Sequence, residues 1–229
     1  SACYTTCGAG TAVLEENKAC AVVTGNNYKV GTALVNYGST SPTAADILSG
    51  WANDTIYSCP SSYSITGTAA ANHDKRTDCS ITCTKGTQVA TANAACTTPN
   101  TANWYTALHS VSAGSTSGTN VKSCNTGYSI AASATATNHD GEDDCKISCS
   151  AGYFVPDAGQ GCKVCTAGRY CNAASGIAQT ATTSVTGKVT AGYWNNGCGT
   201  DAIGSVCTTS YKGGALDNAC YGAAGAPSS

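Results

Sequence analysis

Apolar side chains occur along this chain in short groups separated by Gly, Asn and Asp, which punctuate it with turns. No apolar run approaches the ~20 residues of a membrane span. Alternation of apolar and polar positions predicts strand fragments at Tyr63-Ser-Ile65 and Ser80-Ile-Thr82. Helical spacing appears twice. Ser41-Pro42 opens a short helix through Ile47, Leu48 and Trp51, with Ser as cap and Pro at the first helical position. Thr98-Pro99 opens a matching one, with Trp104, Leu108 and Val111 at i, i+4, i+7.

These elements fall inside an internal repeat. Cys3-x3-Cys7-x12-Cys20 recurs as Cys79-x3-Cys83-x12-Cys96 and as Cys145-x3-Cys149-x12-Cys162. A degenerate fourth copy reads Cys198-x8-Cys207-x12-Cys220. Gly10, Gly86 and Gly152 follow the middle cysteine at one spacing, and Val13, Val89 and Val155 at another. Tyr28, Tyr105 and Tyr170 follow the third cysteine by eight or nine residues. Upstream of two triplets, Cys59-x3-Tyr63-Ser-Ile65 matches Cys124-x3-Tyr128-Ser-Ile130, and Asn72-His73-Asp74 matches Asn138-His139-Asp140. The unit is about 65 residues long. It divides the chain into a first repeat with a partial start (1–58), a second (59–123), a third (124–190), and a degenerate partial repeat with a C-terminal tail (191–229).

Composition explains why cysteine recurs. Met is absent, Phe occurs once, and small side chains return little apolar burial at roughly 25 cal/mol per Å². Ordering the backbone still costs on the order of 1–2 kcal/mol per residue. Sixteen cysteines, an even number, permit complete pairing, each bond contributing about 2–4 kcal/mol. Such density belongs to an oxidising, extracellular setting. Zinc ribbons need two Cys-x-x-Cys knuckles, and only Cys162/Cys165 has that spacing, so no metal or other cofactor is expected. Pairing is expected within units, with some bonds bridging neighbours. Cys165 and Cys171 are extra to the pattern and pair with each other or with Cys198. Repeats so stapled form a small disulfide-rich fold of short strands, turns and a few short helices, stacked into an elongated rod.

The net charge of −2, with no basic cluster, gives nucleic acid nothing to bind. The start Ser1-Ala2-Cys3, without Met, reads as a mature N-terminus after removal of a secretory signal.

Cys149-Ser-Ala-Gly152-Tyr-Phe-Val155, then Cys162-x2-Cys165 and Gly168-Arg-Tyr170, resembles the repeat of ciliate immobilisation antigens, abundant surface proteins of ciliated protozoa. Gly10-Thr-Ala-Val13 and Gly86-Thr-Gln-Val89 fit its first part. The full Cys-x-x-Cys occurs in the third unit alone. The resemblance implies a surface-coat role and a C-terminal glycolipid anchor. The small-residue run Gly222 to Ser229 suits such an anchor, carried on Ser228 or Ser229.

Candidate chemistry is sparse. His73 and His139 recur in Asn-His-Asp, which reads as a repeated turn. Asp140-Gly-Glu-Asp-Asp144 resembles a calcium-loop fragment, but the matching stretch, Asp74-Lys-Arg-Thr-Asp78, is part basic. That swap suggests Lys75 and Arg76 facing Glu142 and Asp143 of a neighbouring repeat or protomer. No nucleophile elbow or phosphate-binding loop is present, so no enzymatic role is expected. Asn53-Asp-Thr55 is an N-glycosylation sequon, and the stretches Ser110 to Thr119 and Thr180 to Thr186 suit O-glycans. The expected function is a glycosylated, disulfide-stabilised coat on the cell or ciliary membrane. Membrane contact is expected through a lipid anchor only. Lateral or head-to-tail contacts with copies of itself are expected. The alternatives are a protomer of an extracellular filament, and a carbohydrate- or ligand-binding module using Trp51, Trp104 and Trp194.

Overall fold

The computed structural model describes residues 3–44, 53–165 and 169–185, with three short strands beyond them. These residues form a disulfide-rich fold of short strands, and the helices among them are single three-ten turns. No described helix is long and apolar enough to cross a membrane. The chain divides into two compact units: residues 1–99 with 105–121, and residues 100–104 with 122–229.

The first unit holds two copies of one antiparallel pair. Tyr4–Cys7 pairs with Ala33–Asn36, and Ser80–Cys83 pairs with His109–Ser112. Thr5, Thr6, Ile81, Thr82 and Val111 are β-branched, which suits a pleated, half-buried surface. The same unit contains a three-stranded sheet. Asn27–Lys29 pairs antiparallel with Ile56–Ser58, whose other edge takes Thr43–Ala44 in parallel. The second unit repeats the antiparallel pair and, among the described residues, the antiparallel half of that sheet without the parallel strand. Lys146–Cys149 pairs with Ala174–Ala178 across a bulge, Asn103–Trp104 with Lys122–Ser123, and Arg169–Tyr170 with Gly187–Lys188.

The three described triplets build the same small core. Cys7, Val13 and Val35 pack together in one copy, and Cys83, Val89 and Val111 in the next. In the second unit Cys149, Val155 and Ile177 do so. The recurring valines are thus core residues, and a disulfide sulfur takes the centre where a larger protein would place a leucine. The recurring glycines have a backbone reason. Gly10, Gly86 and Gly152 all have positive φ, which lets the chain turn back after each middle cysteine. Gly10 also lies against the carbonyl of Ala70, leaving no room for a Cβ.

Two sequence expectations fail. The segment from Thr98 to Val111 is not helical: Asn103–Trp104 and His109–Ser112 are strands. Asn100 accepts bonds at its side chain from the Ala102 amide (2.9 Å) and the Asn103 side chain (2.8 Å), forming a turn. The Tyr105 carbonyl is taken by the Gly86 amide at 2.7 Å, so backbone bonds run to distant segments instead of up a helix. Thr43–Ala44 is likewise a strand, while Ile47, Leu48 and Trp51 lie outside the described residues. The register of the aromatics also shifts by one. The glycine amides bond to Lys29, Tyr105 and Cys171, so Trp104, not Tyr105, is the counterpart of Tyr28 and Tyr170.

Candidate functional site

The chemistry this chain repeats is cross-linking, and the cross-links are of two kinds. Cys7–Cys20, Cys83–Cys96 and Cys149–Cys162 each span 13 residues. They close the loop after each first strand. Cys59–Cys79 and Cys124–Cys145 span 20 and 21 residues and close the upstream block onto the following strand. Cys165 pairs with Cys171. Cys198, Cys207 and Cys220 lie outside the described residues. Among the described residues Cys3 has no disulfide partner, and it is exposed. Its counterparts Cys79 and Cys145 take their partners from the upstream block, and no described residue supplies one to Cys3.

A second repeated device is made of hydroxyls. Val13, Val89 and Val155 donate their amides to the side-chain oxygens of Ser41 (3.2 Å), Ser117 (2.8 Å) and Thr183 (2.8 Å), each 28 residues further on. The amides of Ser41, Ser117 and Thr183 return the bond to the valine carbonyls at 2.8–3.0 Å. Each latch satisfies a buried valine amide at the edge of the core. Ser41 is therefore a latch and not a helix cap. Sequence reasoning missed this device. Its signal, a hydroxyl 28 residues after each recurring valine, is too distant for any local pattern.

The repeated histidines are a third device. His73 is fully enclosed, with Nδ1 2.8 Å from the Asn27 carbonyl and Nε2 3.0 Å from the Gly67 carbonyl. In the other unit, buried His139 places Nδ1 3.0 Å from the Asn103 carbonyl, the counterpart of Asn27. Each ring ties a three-ten turn to the first residue of a short strand. No described group of His, Cys, Asp and Glu is arranged to hold a metal ion.

The upstream block adds an aromatic anchor. The Tyr63 hydroxyl donates to the Ala94 carbonyl at 3.2 Å, and that of Tyr128 to the Gln160 carbonyl at 2.7 Å. Burial raises the pKa of both phenols above the usual value, because the phenolate loses its water there. After each tyrosine, Ser64 and Ser129 exchange a pair of backbone bonds with Ser80 and Lys146.

One pair has the spacing of a nucleophile and its base. His109 Nε2 is 2.7 Å from Ser117 Oγ, and Nδ1 faces the Ala107 carbonyl at 3.0 Å. Yet Ser117 Oγ already accepts the Val89 amide and occupies the latch position held by Ser41 and Thr183 in the other copies. The ring also stacks on Tyr105, centroids 4.2 Å apart. The geometry is that of a latch with one extra partner.

The charged candidates sit on three-ten turns. Lys75 Nζ is 3.7 Å from Asp78 in its own turn, and the Asp78 carboxyl accepts the Lys75 amide at 3.2 Å. Burial, first, and a bond to Asp74 raise the Asp78 pKa. Asp144 accepts the Gly141 amide at 3.0 Å in the matching turn, and Glu142 accepts Gln179 Nε2 at 2.8 Å. Asn53 is exposed in a turn just before the Ile56–Ser58 strand, its side chain over the backbone of Gly31. Trp104 packs beside Tyr128, Ile130 and Cys145, while the side chains of Trp51 and Trp194 and the residues Ser228 and Ser229 lie outside the description.

No family model, curated protein or solved structure matches this chain.

Proposed function

We propose that this chain is a non-enzymatic extracellular coat protein, its repeats stacked as a rod in a layer at the cell or ciliary surface. The observation that carries the reading is the repeated pair of disulfides. Three bonds of one span and two of another sit at equivalent positions, each at the centre of a core too small to hold the fold alone. Bonds of this kind form and persist in oxidising compartments. The latches and histidine ties spend the buried polar groups on structure, which suits a building element. The exposed Asn53 turn is open to a glycan. In such a layer the Lys75/Arg76 turn of one copy meets the Glu142/Asp143 turn of another.

The test is on intact cells. A membrane-impermeant amine label should reach the protein, and phosphatidylinositol-specific phospholipase C should release it. Protein inaccessible to the label, or unchanged by the lipase and free in the medium, contradicts the anchored coat.

A further inference from the structure

We infer that this chain is an extensible tether: under tension it releases two cysteine-free loops in reversible steps, while the bodies between them stay cross-linked. The inference goes beyond the coat reading and does not depend on it. It rests on where the disulfides fall.

The cross-links gather the chain into three bodies. Cys7–Cys20 closes the first. Cys59–Cys79 and Cys83–Cys96 close the second, with three residues between the two bonds. Cys124–Cys145, Cys149–Cys162 and Cys165–Cys171 close the third, with two or three residues between successive bonds. Between the bodies run residues 21–58 and 97–123, loops of 38 and 27 residues that contain no cysteine. No disulfide of the described residues spans either loop. A pull along the chain therefore crosses each body through sulfur and each loop through backbone alone.

Noncovalent contacts fasten the loops, and the same three recur in both. A strand of each loop pairs with the strand that enters the preceding body: Ala33–Asn36 with Tyr4–Cys7, and His109–Ser112 with Ser80–Cys83. The latch follows, Ser41 on Val13 and Ser117 on Val89. A histidine of the following body then holds a carbonyl of the loop, His73 that of Asn27 and His139 that of Asn103. In the second loop these contacts divide between the compact units, residues 105–121 lying in the first and 100–104 in the second.

Hydrogen bonds yield to load, whereas a disulfide opens by exchange with an attacking thiolate. The loops therefore yield first. Fully extended, 38 residues span at most about 135 Å and 27 residues at most about 95 Å. Val13 and Val89 stay inside closed rings, and His73 and His139 do too. Those rings restrict the released state, so each loop finds its partners again when the pull ends. The chain thus holds a reserve of length that absorbs a pull without breaking a covalent bond.

The test is single-molecule force spectroscopy on the oxidised full chain, held through azide-bearing residues that replace the exposed Ala19 and Thr126. These positions adjoin Cys20 and Cys124, so the handles span both loops and the middle body. Two separate length gains are expected, one of up to about 135 Å and one of up to about 95 Å, each reversing on relaxation. At constant force, Ser117→Ala should speed the shorter gain alone by at least about fivefold, and Ser41→Ala should speed the longer gain alone. A single merged gain, no gain, or gains that fail to reverse would overturn the inference. So would a rate for the shorter gain within about twofold of the parent in Ser117→Ala.

Discussion

Replacing Ser117 with alanine removes one latch hydroxyl while leaving the backbone in place. The Val89 residue it serves is 1% exposed, so the amide finds no water when the hydroxyl is lost. An unsatisfied buried donor costs about 1–3 kcal/mol. The reciprocal bond from the Ser117 amide to the Val89 carbonyl (3.0 Å) survives, which confines the damage to one donor. His109 Nε2 loses its 2.7 Å partner as well, which moves the cost toward the upper end. Ser41→Ala removes a longer bond (3.2 Å) with no histidine attached and should cost less. Thr183→Val acts at a half-buried site, where water can replace the hydroxyl, and should cost least. At about 1.4 kcal/mol per tenfold, the range corresponds to roughly 5- to 150-fold faster opening. Amide hydrogen exchange at Val89, Val13 and Val155 reads this directly, with the disulfides left intact. The expected order of acceleration is Ser117→Ala, then Ser41→Ala, then Thr183→Val. Exchange at Val89 within twofold of the parent in Ser117→Ala would refute the latch.

Three further outcomes are expected. Gly10→Ala should cost roughly 2–4 kcal/mol, from the positive φ and from forced movement of the Ala70 backbone, as read by thermal unfolding. Removing both cysteines of Cys83–Cys96 should cost about 3 kcal/mol for a loop of this span, and a loss below 1 kcal/mol in denaturant titration would contradict that role. Tyr63 and Tyr128 hold their protons more tightly folded than unfolded. The stability they supply is whole below the unfolded value of about 10 and is lost as pH rises through the raised folded value. Tyr63→Phe should therefore be less stable than the parent at pH 7 by about 1 kcal/mol, and the gap should narrow above pH 10 in pH-dependent melts.

The repeat was legible because disulfides, tight turns and core valines all leave fixed spacings. Cys-x12-Cys became a bond three times, Gly10 and its counterparts took positive φ, and Val13 and its counterparts entered the core. Two-residue strands leave no periodicity, so Asn103–Trp104 was invisible beside a helix-like spacing of Trp104, Leu108 and Val111. The cap signal at Ser41-Pro42 misled for a related reason: a serine before proline serves a cap or a distant latch equally well. Asn-His-Asp was read as a turn, and His73 and His139 do follow turns. What the motif hid is the ring's bond to a carbonyl 46 or 36 residues upstream, Asn27 or Asn103.

The fold depends on an oxidised chain, and intact mass of the natural protein before and after reduction tests this most directly. Reduction should add about two hydrogens for each of at least six disulfides, with the twelve cysteines involved inert to alkylation beforehand. Alkylation of those twelve in the unreduced protein would contradict the extracellular assignment and the coat built on it.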